Sequence, residues 1–285
     1  MITIFTPTYN RKKELRNLYD SLLNQSYKDF EWLVIDDGSS DNTNLEIKKM
    51  IDEGKVNINY VYKDNGGKMS AVNMAHKLAK GEIFITVDSD DILVNDILKI
   101  IVEDFATIKN DQNIAGIVYQ CAYKNTPNKV VAVNLPPNKT VCTYNELHTK
   151  YNVKGDKSAA WKTSVLRNYQ FPMFEGEKFV PDDYLMNNIS RKYKIVIYDK
   201  IITNIEYLEG GLTNNYFQLV KKNPNGTALY FKELYDFNNS FYNVYAYILF
   251  SIYAKKSFKY ILRNHKDKVK VLLLYLPTLI ISKLR

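Results

Sequence analysis

The sequence predicts an α/β fold: a mostly parallel central sheet flanked by helices over residues 1–215, followed by a helical C-terminal region over residues 216–285. Three observations predict it. Between Ile2 and Val87, short β-branched and aromatic runs alternate with helix-period runs at intervals of about 30 residues, the pattern of βαβ units. Each strand-like run ends in a cluster of Gly, Asp, Asn, Ser or Thr, the turn-forming residues. Beyond about Asn215 the strand pattern stops, and Phe241, Val244, Tyr245, Ile248, Leu249, Ile252 and Tyr253 form a single apolar helical stripe.

Ile2–Phe5 reads as the first strand, ended by Thr6-Pro7-Thr8-Tyr9-Asn10, and Leu15, Leu18, Leu22 and Leu23 mark the helix that follows. Trp32-Leu33-Val34-Ile35 is a second strand, closed by Asp36-Asp37-Gly38-Ser39-Ser40-Asp41 before a helix over residues 42–53. Ile58–Tyr62 leads into Asp64-Asn65-Gly66-Gly67-Lys68 and a third helix carrying Ala71, Val72, Ala75, Leu78 and Ala79. Ile83–Val87 then delivers Asp88-Ser89-Asp90-Asp91. In a parallel sheet the ligand crevice lies beyond the carboxyl ends of the strands, so these four polar clusters are expected on one rim.

The middle is less regular. Gly116–Tyr123, Lys129–Asn134, Ile195–Tyr198 and Ile201–Tyr207 read as strands, Ser158–Arg167 as a helix, and Asp182-Asp183-Tyr184-Leu185 as the start of another. A last apolar stretch, Val271–Ile281, is interrupted by Pro277 and is shorter than the ~20 residues of a spanning helix. Two readings of it stand: an interfacial helix with basic flanks, or a helix packed on the catalytic domain.

The chain has 285 residues and a formal net charge of +8. From Ser251 onward nine basic residues face one acid, Asp267, so the other 250 residues balance near zero. Charge confined to a tail points to an anionic partner for that tail, such as a membrane surface, and away from a nucleic-acid-binding body. The two cysteines, Cys121 and Cys142, lie in no CxxC or Cys/His cluster, which argues against a zinc site or a disulfide framework and for a reducing cytoplasm. The N-terminus reads directly as a strand, without the charged and apolar segments of a signal peptide, so the expected location is cytoplasmic, peripheral to the inner face of the membrane if the tail binds there.

Asp88-Ser89-Asp90 sets two carboxylates two apart at a strand end. Hard divalent cations such as Mn²⁺ or Mg²⁺ bind through one or two carboxylates plus substrate phosphates, so the pair suits a metal that arrives with a diphosphate. The series Pro7-Thr8-Tyr9-Asn10-Arg11, Val34 to Thr43, Asn65-Gly66-Gly67-Lys68, and Gly81-Glu82 leading to Val87–Asp91 resembles the nucleotide-binding half of family-2 inverting glycosyltransferases of the GT-A fold. The likeness is close over residues 1–100, the nucleotide-sugar-binding half, and looser over 101–215, the acceptor and catalytic half.

The resemblance implies roles for individual positions. Pro7 and Tyr9 line the nucleoside pocket, and Asp37 accepts a hydrogen bond from uracil N3–H, with Asp36 a cap or accessory contact. Lys68 and Asn73 lie near the base or phosphates. Asp88 faces the ribose or the metal with Ser89 beside it, Asp90 is the direct metal ligand, and Asp91 caps the next helix or joins the cluster. The general base of such a transfer is the second acid of a pair at a helix start in the second half; Phe179-Val180-Pro181-Asp182-Asp183-Tyr184-Leu185 matches with Asp in place of Glu. That makes Asp183 the base and Asp182 a neighbouring contact, although the exchange leaves open which of the two acts. A macrodipole-favoured acidic helix start is the competing account of the pair. Glu206 stands where many relatives carry a further metal or phosphate contact, on the segment that includes Gly210-Gly211, and Trp161 stands where the family often lines the acceptor site.

The expected reaction moves a sugar from a UDP-sugar to a hydroxyl of a saccharide or lipid-linked saccharide, with the aromatic C-terminal helix as a face for a homodimer. Competing classes are a metal-dependent nucleotidyl- or phosphotransferase, disfavoured by the lack of a GxxxxGK[ST] loop, and a nucleotide-sugar-binding module that has lost activity.

Overall fold

The computed structural model describes residues 1–207 and 215–284. The first elements follow the sequence pattern: β1 (Ile2–Thr8), α1 (Lys12–Leu23), β2 (Phe30–Asp36), α2 (Thr43–Asp52), β3 (Ile58–Tyr62), α3 (Lys68–Leu78) and β4 (Ile83–Thr86). Then come β5 (Ile92–Leu93), α4 (Ile97–Ala106), β6 (Ile114–Tyr123), β7 (Thr126–Val130), β8 (Val141–Cys142), α5 (Tyr144–Thr149), β9 (Lys157–Lys162), α6 (Thr163–Leu166), α7 (Asp183–Ser190) and β10 (Lys194–Ile205). Five helices end the chain: α8 (Tyr216–Lys222), α9 (Pro224–Leu234), α10 (Phe241–Tyr253), α11 (Phe258–Asn264) and α12 (Lys268–Leu284).

Among the described residues one ten-stranded sheet forms, in the order β3-β2-β1-β4-β9-β6-β10-β5, with β7 on β6 and β8 on β10. It is parallel from β3 to β4 and mixed beyond, because β9 runs antiparallel to both β4 and β6. Every residue of β2 is buried, as expected of a central strand covered on both faces. Leu15, Leu18 and Leu22 of α1 are buried at helical spacing, each side chain contributing roughly 2 kcal/mol through the area it removes from water. Tyr19 of the same helix stands 6.0 Å from Trp32, whose indole N–H is satisfied by the Thr6 hydroxyl at 2.9 Å.

Two sequence expectations are corrected. Residues 158–162, read as the start of a helix, belong to β9; of the expected Ser158–Arg167 helix only Thr163–Leu166 is helical. The alanines at 159 and 160 favour a helix locally, but the slot between β4 and β6 wins. A Cβ at Gly116 would lie 2.5 Å from the Ala160 carbonyl, so the glycine is what lets β9 close on β6. The two strands expected at 195–198 and 201–207 are one strand, β10, with irregular pairing between Tyr198 and Ile201. Lys200 within that irregularity donates to both oxygens of buried Asp104, at 2.6 and 2.8 Å, which compensates a carboxylate that would be costly to bury alone.

The chain divides into two compact units. The first comprises Met1–Gln170 and Asn188–Leu208; the second comprises Phe171–Asn187 and Glu209–Arg285. The segment holding Asp182 and Asp183 thus clusters with the C-terminal helices, whereas the sequence pattern grouped it with residues 101–215. In the second unit α9 and α10 pack with Phe231 stacked on Phe250 at 5.9 Å, and Val244, Ile248 and Leu249 are buried. α12 packs against α10 and α11. Pro277 does not end that helix: its ring displaces a hydrogen bond to the carbonyl of Leu273, an exposed residue whose carbonyl can turn to water.

His76 on α3 is 2% exposed, with Nδ1 3.2 Å from the Tyr169 carbonyl and its ring edge-on to Phe84 at 5.2 Å. Burial pushes its pKa down to about 4. The folded value lies below the unfolded one, so the stabilisation from keeping it neutral is present above about pH 6.5 and is lost as pH falls toward 4. Between pH 7.5 and 5 this group alone should cost about 2 kcal/mol of unfolding free energy. Urea midpoints at the two pH values check it: His76→Gln, which keeps a donor for the carbonyl, should show the smaller acid loss.

Candidate active site

The parallel register aligns the carboxyl ends of β1, β2 and β3, with Thr8 beside Asp36 and Asp36 beside Tyr62. The loops that leave these ends are braced to one another. Asn10 Oδ1 accepts from the Ser40 amide at 2.8 Å, the Asn10 amide donates to the Ser39 hydroxyl at 2.8 Å, and the Lys12 amide donates to Asp41 at 3.2 Å. Gly38, at φ +86°, brings the backbone so close that a Cβ there would lie 2.9 Å from the Asn65 nitrogen; only glycine suits both demands.

Asp36 and Asp37 are both buried. Asp36 accepts from the Tyr60 hydroxyl at 2.8 Å and the Ser39 amide at 2.7 Å. Asp37 accepts from the Gly66 amide at 2.9 Å, the Gly67 amide at 2.7 Å and the Lys63 ammonium at 2.5 Å. Its carboxylate therefore holds the Gly66-Gly67 turn at the start of α3, with lone-pair capacity left for one further donor. Lys63 was missed in the sequence; its one signal is its place at the end of the β3 run.

Lys68, the first residue of α3, donates to Asp88 Oδ2 at 2.8 Å. The other oxygen, Asp88 Oδ1, is buried and has no hydrogen-bond partner among the described residues. Asp90 has its pKa raised by burial and then by the Asp88 charge, with Arg11 and Lys68 acting the other way. Asp91 is pushed up to about 8, by burial first and then by Asp88 and Asp90. The Asp88 charge raises the pKa of both Asp90 and Asp91, and with one Asp88 oxygen orphaned the cluster is short of positive charge. Among the described residues no set of three His, Cys, Asp or Glu side chains forms a cage for a metal. The donor set fits a hard cation that takes Asp88 and Asp90 from the protein and its other oxygens from a diphosphate.

Of the remaining expected residues, Tyr9 is 51% exposed and free to offer a ring face, Pro7 is half-buried at the end of β1, and Ser89 is buried between the two aspartates. Asn73 lies further along α3. The Glu206 side chain pairs with Lys124 at 3.1 Å, and its backbone N–H reaches the Asp91 carboxylate. Gly210 and Gly211 lie outside the described residues. Trp161 is a buried residue of β9, its ring 6.4 Å from that of Tyr144.

Asp182 is exposed and Asp183, half-buried, opens α7, where the helix dipole favours a carboxylate. The Tyr230 hydroxyl has its pKa pushed up by burial and then by the Asp183 charge. The segment that leads to the pair is clamped to the start of α9. Glu177 accepts from the Asn225 amide at 2.8 Å and the Gly226 amide at 2.9 Å, and Asn223 Oδ1 accepts from the amides of Lys178 at 2.7 Å and Phe179 at 3.2 Å. A Cβ at Gly226 would lie 2.8 Å from the Phe179 carbonyl, so the contact is backbone on backbone. The carboxylate cluster around Asp88 belongs to the first compact unit and the acidic pair to the second.

Comparison with known proteins bears on this arrangement. An uncharacterised glycosyltransferase of Mycoplasma genitalium is 41% identical over 96 residues, 32% of each chain. A hyaluronan synthase of Pasteurella multocida is 35% identical over 105 residues, 37% of this chain and 11% of that one. The chain thus spans a third or less of the length of these curated relatives. Among solved structures, residues 1–349 of S. aureus TarS in complex with UDP-GlcNAc superpose with a TM-score of 0.63 at 20% identity, covering 99% of this chain and 80% of that one. A mannosyltransferase from Pyrobaculum calidifontis in complex with GDP-Man and Mn²⁺ gives 0.55 at 16% identity, covering 99% and 83%. These two share the fold, which is that of GT-A glycosyltransferases. Residues 3–168, more than half of the chain, match the profile of glycosyl transferase family 2, and the chain belongs to that family.

Proposed function

We propose that the protein is an inverting glycosyltransferase that moves a sugar from a UDP-sugar to an acceptor hydroxyl, with a divalent cation, Mn²⁺ or Mg²⁺, at Asp88 and Asp90. The observation that carries the proposal is the orphaned Asp88 Oδ1 beside Asp90 on the rim where the β1, β2 and β3 loops are braced together. The naming of UDP-GlcNAc in the TarS complex supports the donor class, and Mn²⁺ in the mannosyltransferase complex supports the cation. When bound, such a cation supplies charge neutralisation on the departing diphosphate.

The chain's own residues do the rest. Tyr9 and Pro7 hold the base, and Asp37, held by three donors, has one acceptor site left for uracil N3–H. Asp88 and Ser89 meet the ribose. Lys68, which donates to Asp88 at 2.8 Å, and Asn73 orient phosphate oxygens. Asp183 takes the proton from the acceptor hydroxyl as it attacks the anomeric carbon from the face opposite the diphosphate, and Asp182 orients the acceptor. A single displacement needs no covalent sugar intermediate. Glu206 is a further candidate ligand if it leaves Lys124, and Trp161 is a candidate acceptor contact. The acceptor is a cell-envelope or lipid-linked saccharide, a reading favoured by the polysaccharide synthases among the relatives, and the work is done in the cytoplasm. A homodimer through Phe241 and Tyr242, the aromatics that α10 leaves exposed, completes the reading.

Incubation with a panel of UDP-sugars and Mn²⁺ or Mg²⁺, with and without EDTA, tests it: UDP should appear only with metal. Release of sugar 1-phosphate would instead favour a nucleotidyl- or phosphotransferase, and no product from any donor would favour an inactive binding module. The Glu177 clamp gives a further expectation. Glu177→Ala should lower the transfer rate about tenfold, about 1.4 kcal/mol at the transition state, at unchanged KM for the UDP-sugar, and Glu177→Gln should recover part of it.

A further inference from the structure

We propose that the outward face of α12, with the basic side chains of the helices around it, docks on an anionic lipid surface. Val269, Leu272, Leu273, Leu276 and Ile280 are each 55–67% exposed. At about 100° per residue these five fall within an arc of about 100° on the helix. Val271 and Thr278, fully buried, lie on the opposite side, where α12 meets its neighbours. One face of the helix is thus used by the fold, and the other is an apolar stripe left in water.

The surroundings of the stripe select its occupant. Phe258, at the start of α11, packs on Tyr275 of α12 with ring centroids 4.5 Å apart, which sets α11 beside the stripe. Phe258 and Tyr260 are themselves exposed, an aromatic pair of the kind that sits at headgroup level. Lys255, Lys259, Arg263, Lys266, Lys268 and Lys283 are exposed on the same helices and the turns between them. Asp267, the one acid after Ser251, is occupied by the Tyr235 hydroxyl at 2.7 Å and the Lys270 ammonium at 3.6 Å. A second copy of this chain would set the same positive charges against each other across an isologous contact. An anionic bilayer surface complements them, and its acyl boundary accepts the leucines. No helix among the described residues is long and apolar enough to cross a membrane, so the contact is one of lying on the surface. The unit that docks is the one that carries Asp182 and Asp183.

The test is co-sedimentation of the full chain with phosphatidylcholine vesicles with and without phosphatidylglycerol. The protein should pellet with the anionic vesicles and stay in solution with the neutral ones. Leu273→Glu with Leu276→Glu should weaken that partition by about a hundredfold or more, and Lys259→Gln and Arg263→Gln by about fivefold each. Circular dichroism confirms that the variants fold, and the charge variants carry the test if the leucine pair does not. Absence of pelleting, or equal pelleting on neutral vesicles, would overturn the proposal. So would a dimer in sedimentation without lipid that the leucine pair converts to monomer, since a second copy would then cover the face. UDP affinity measured alongside reads the donor proposal separately.

Discussion

Asp183→Asn is expected to lower sugar transfer by about 10²- to 10⁴-fold, the usual worth of a positioned general base, while UDP-sugar affinity stays within about twofold. The division follows from the architecture. Asp183 opens α7 in the second compact unit, whereas the carboxylates expected to bind the donor with its cation belong to the first. Asn keeps the size of the side chain and most of the dipole interaction but cannot take a proton. Should Asp182→Asn instead carry the whole loss, the two acids exchange roles.

Asp90→Asn is expected to weaken metal-dependent binding of a UDP-sugar by more than about a hundredfold, so that transfer is lost through the donor and not through the proton. The wild-type Asp90 has its pKa raised by burial and by Asp88. A divalent cation held by Asp88 and Asp90 would supply positive charge that favours the ionised carboxylates. The Asn variant removes one negative charge from the cluster and should ease the repulsion on Asp88 and Asp91, so the apo protein should be no less stable in urea. Equal loss of donor affinity in the Asp90 and Asp183 variants would mean that the base is misassigned.

The first three βα repeats and the fourth strand were legible because two independent signals agree at each: apolar periodicity switches and a Gly, Asn or Asp cluster stands at the switch. Ala159-Ala160 gave the opposite local signal, and β9 is set by Gly116, more than 40 residues earlier, which no local pattern reveals. The site was legible as a set of residues but not as a network. Asp37 stood out, yet its bonding to Lys63, Gly66 and Gly67 depends on how the β3 turn folds back over β2. Glu177 and Asn223 were invisible because each acts on backbone amides about 45 residues away. The discontinuous second unit follows from the same clamp, and it could not be drawn from a chain read in order.

Calorimetric titration of the protein with UDP, in Mn²⁺ and again in EDTA, tests the central claim most directly. The account predicts saturable 1:1 binding in Mn²⁺ that falls by at least tenfold in EDTA and is abolished by Asp90→Asn. Binding of equal strength with and without the cation, or no binding of UDP in either, would contradict it.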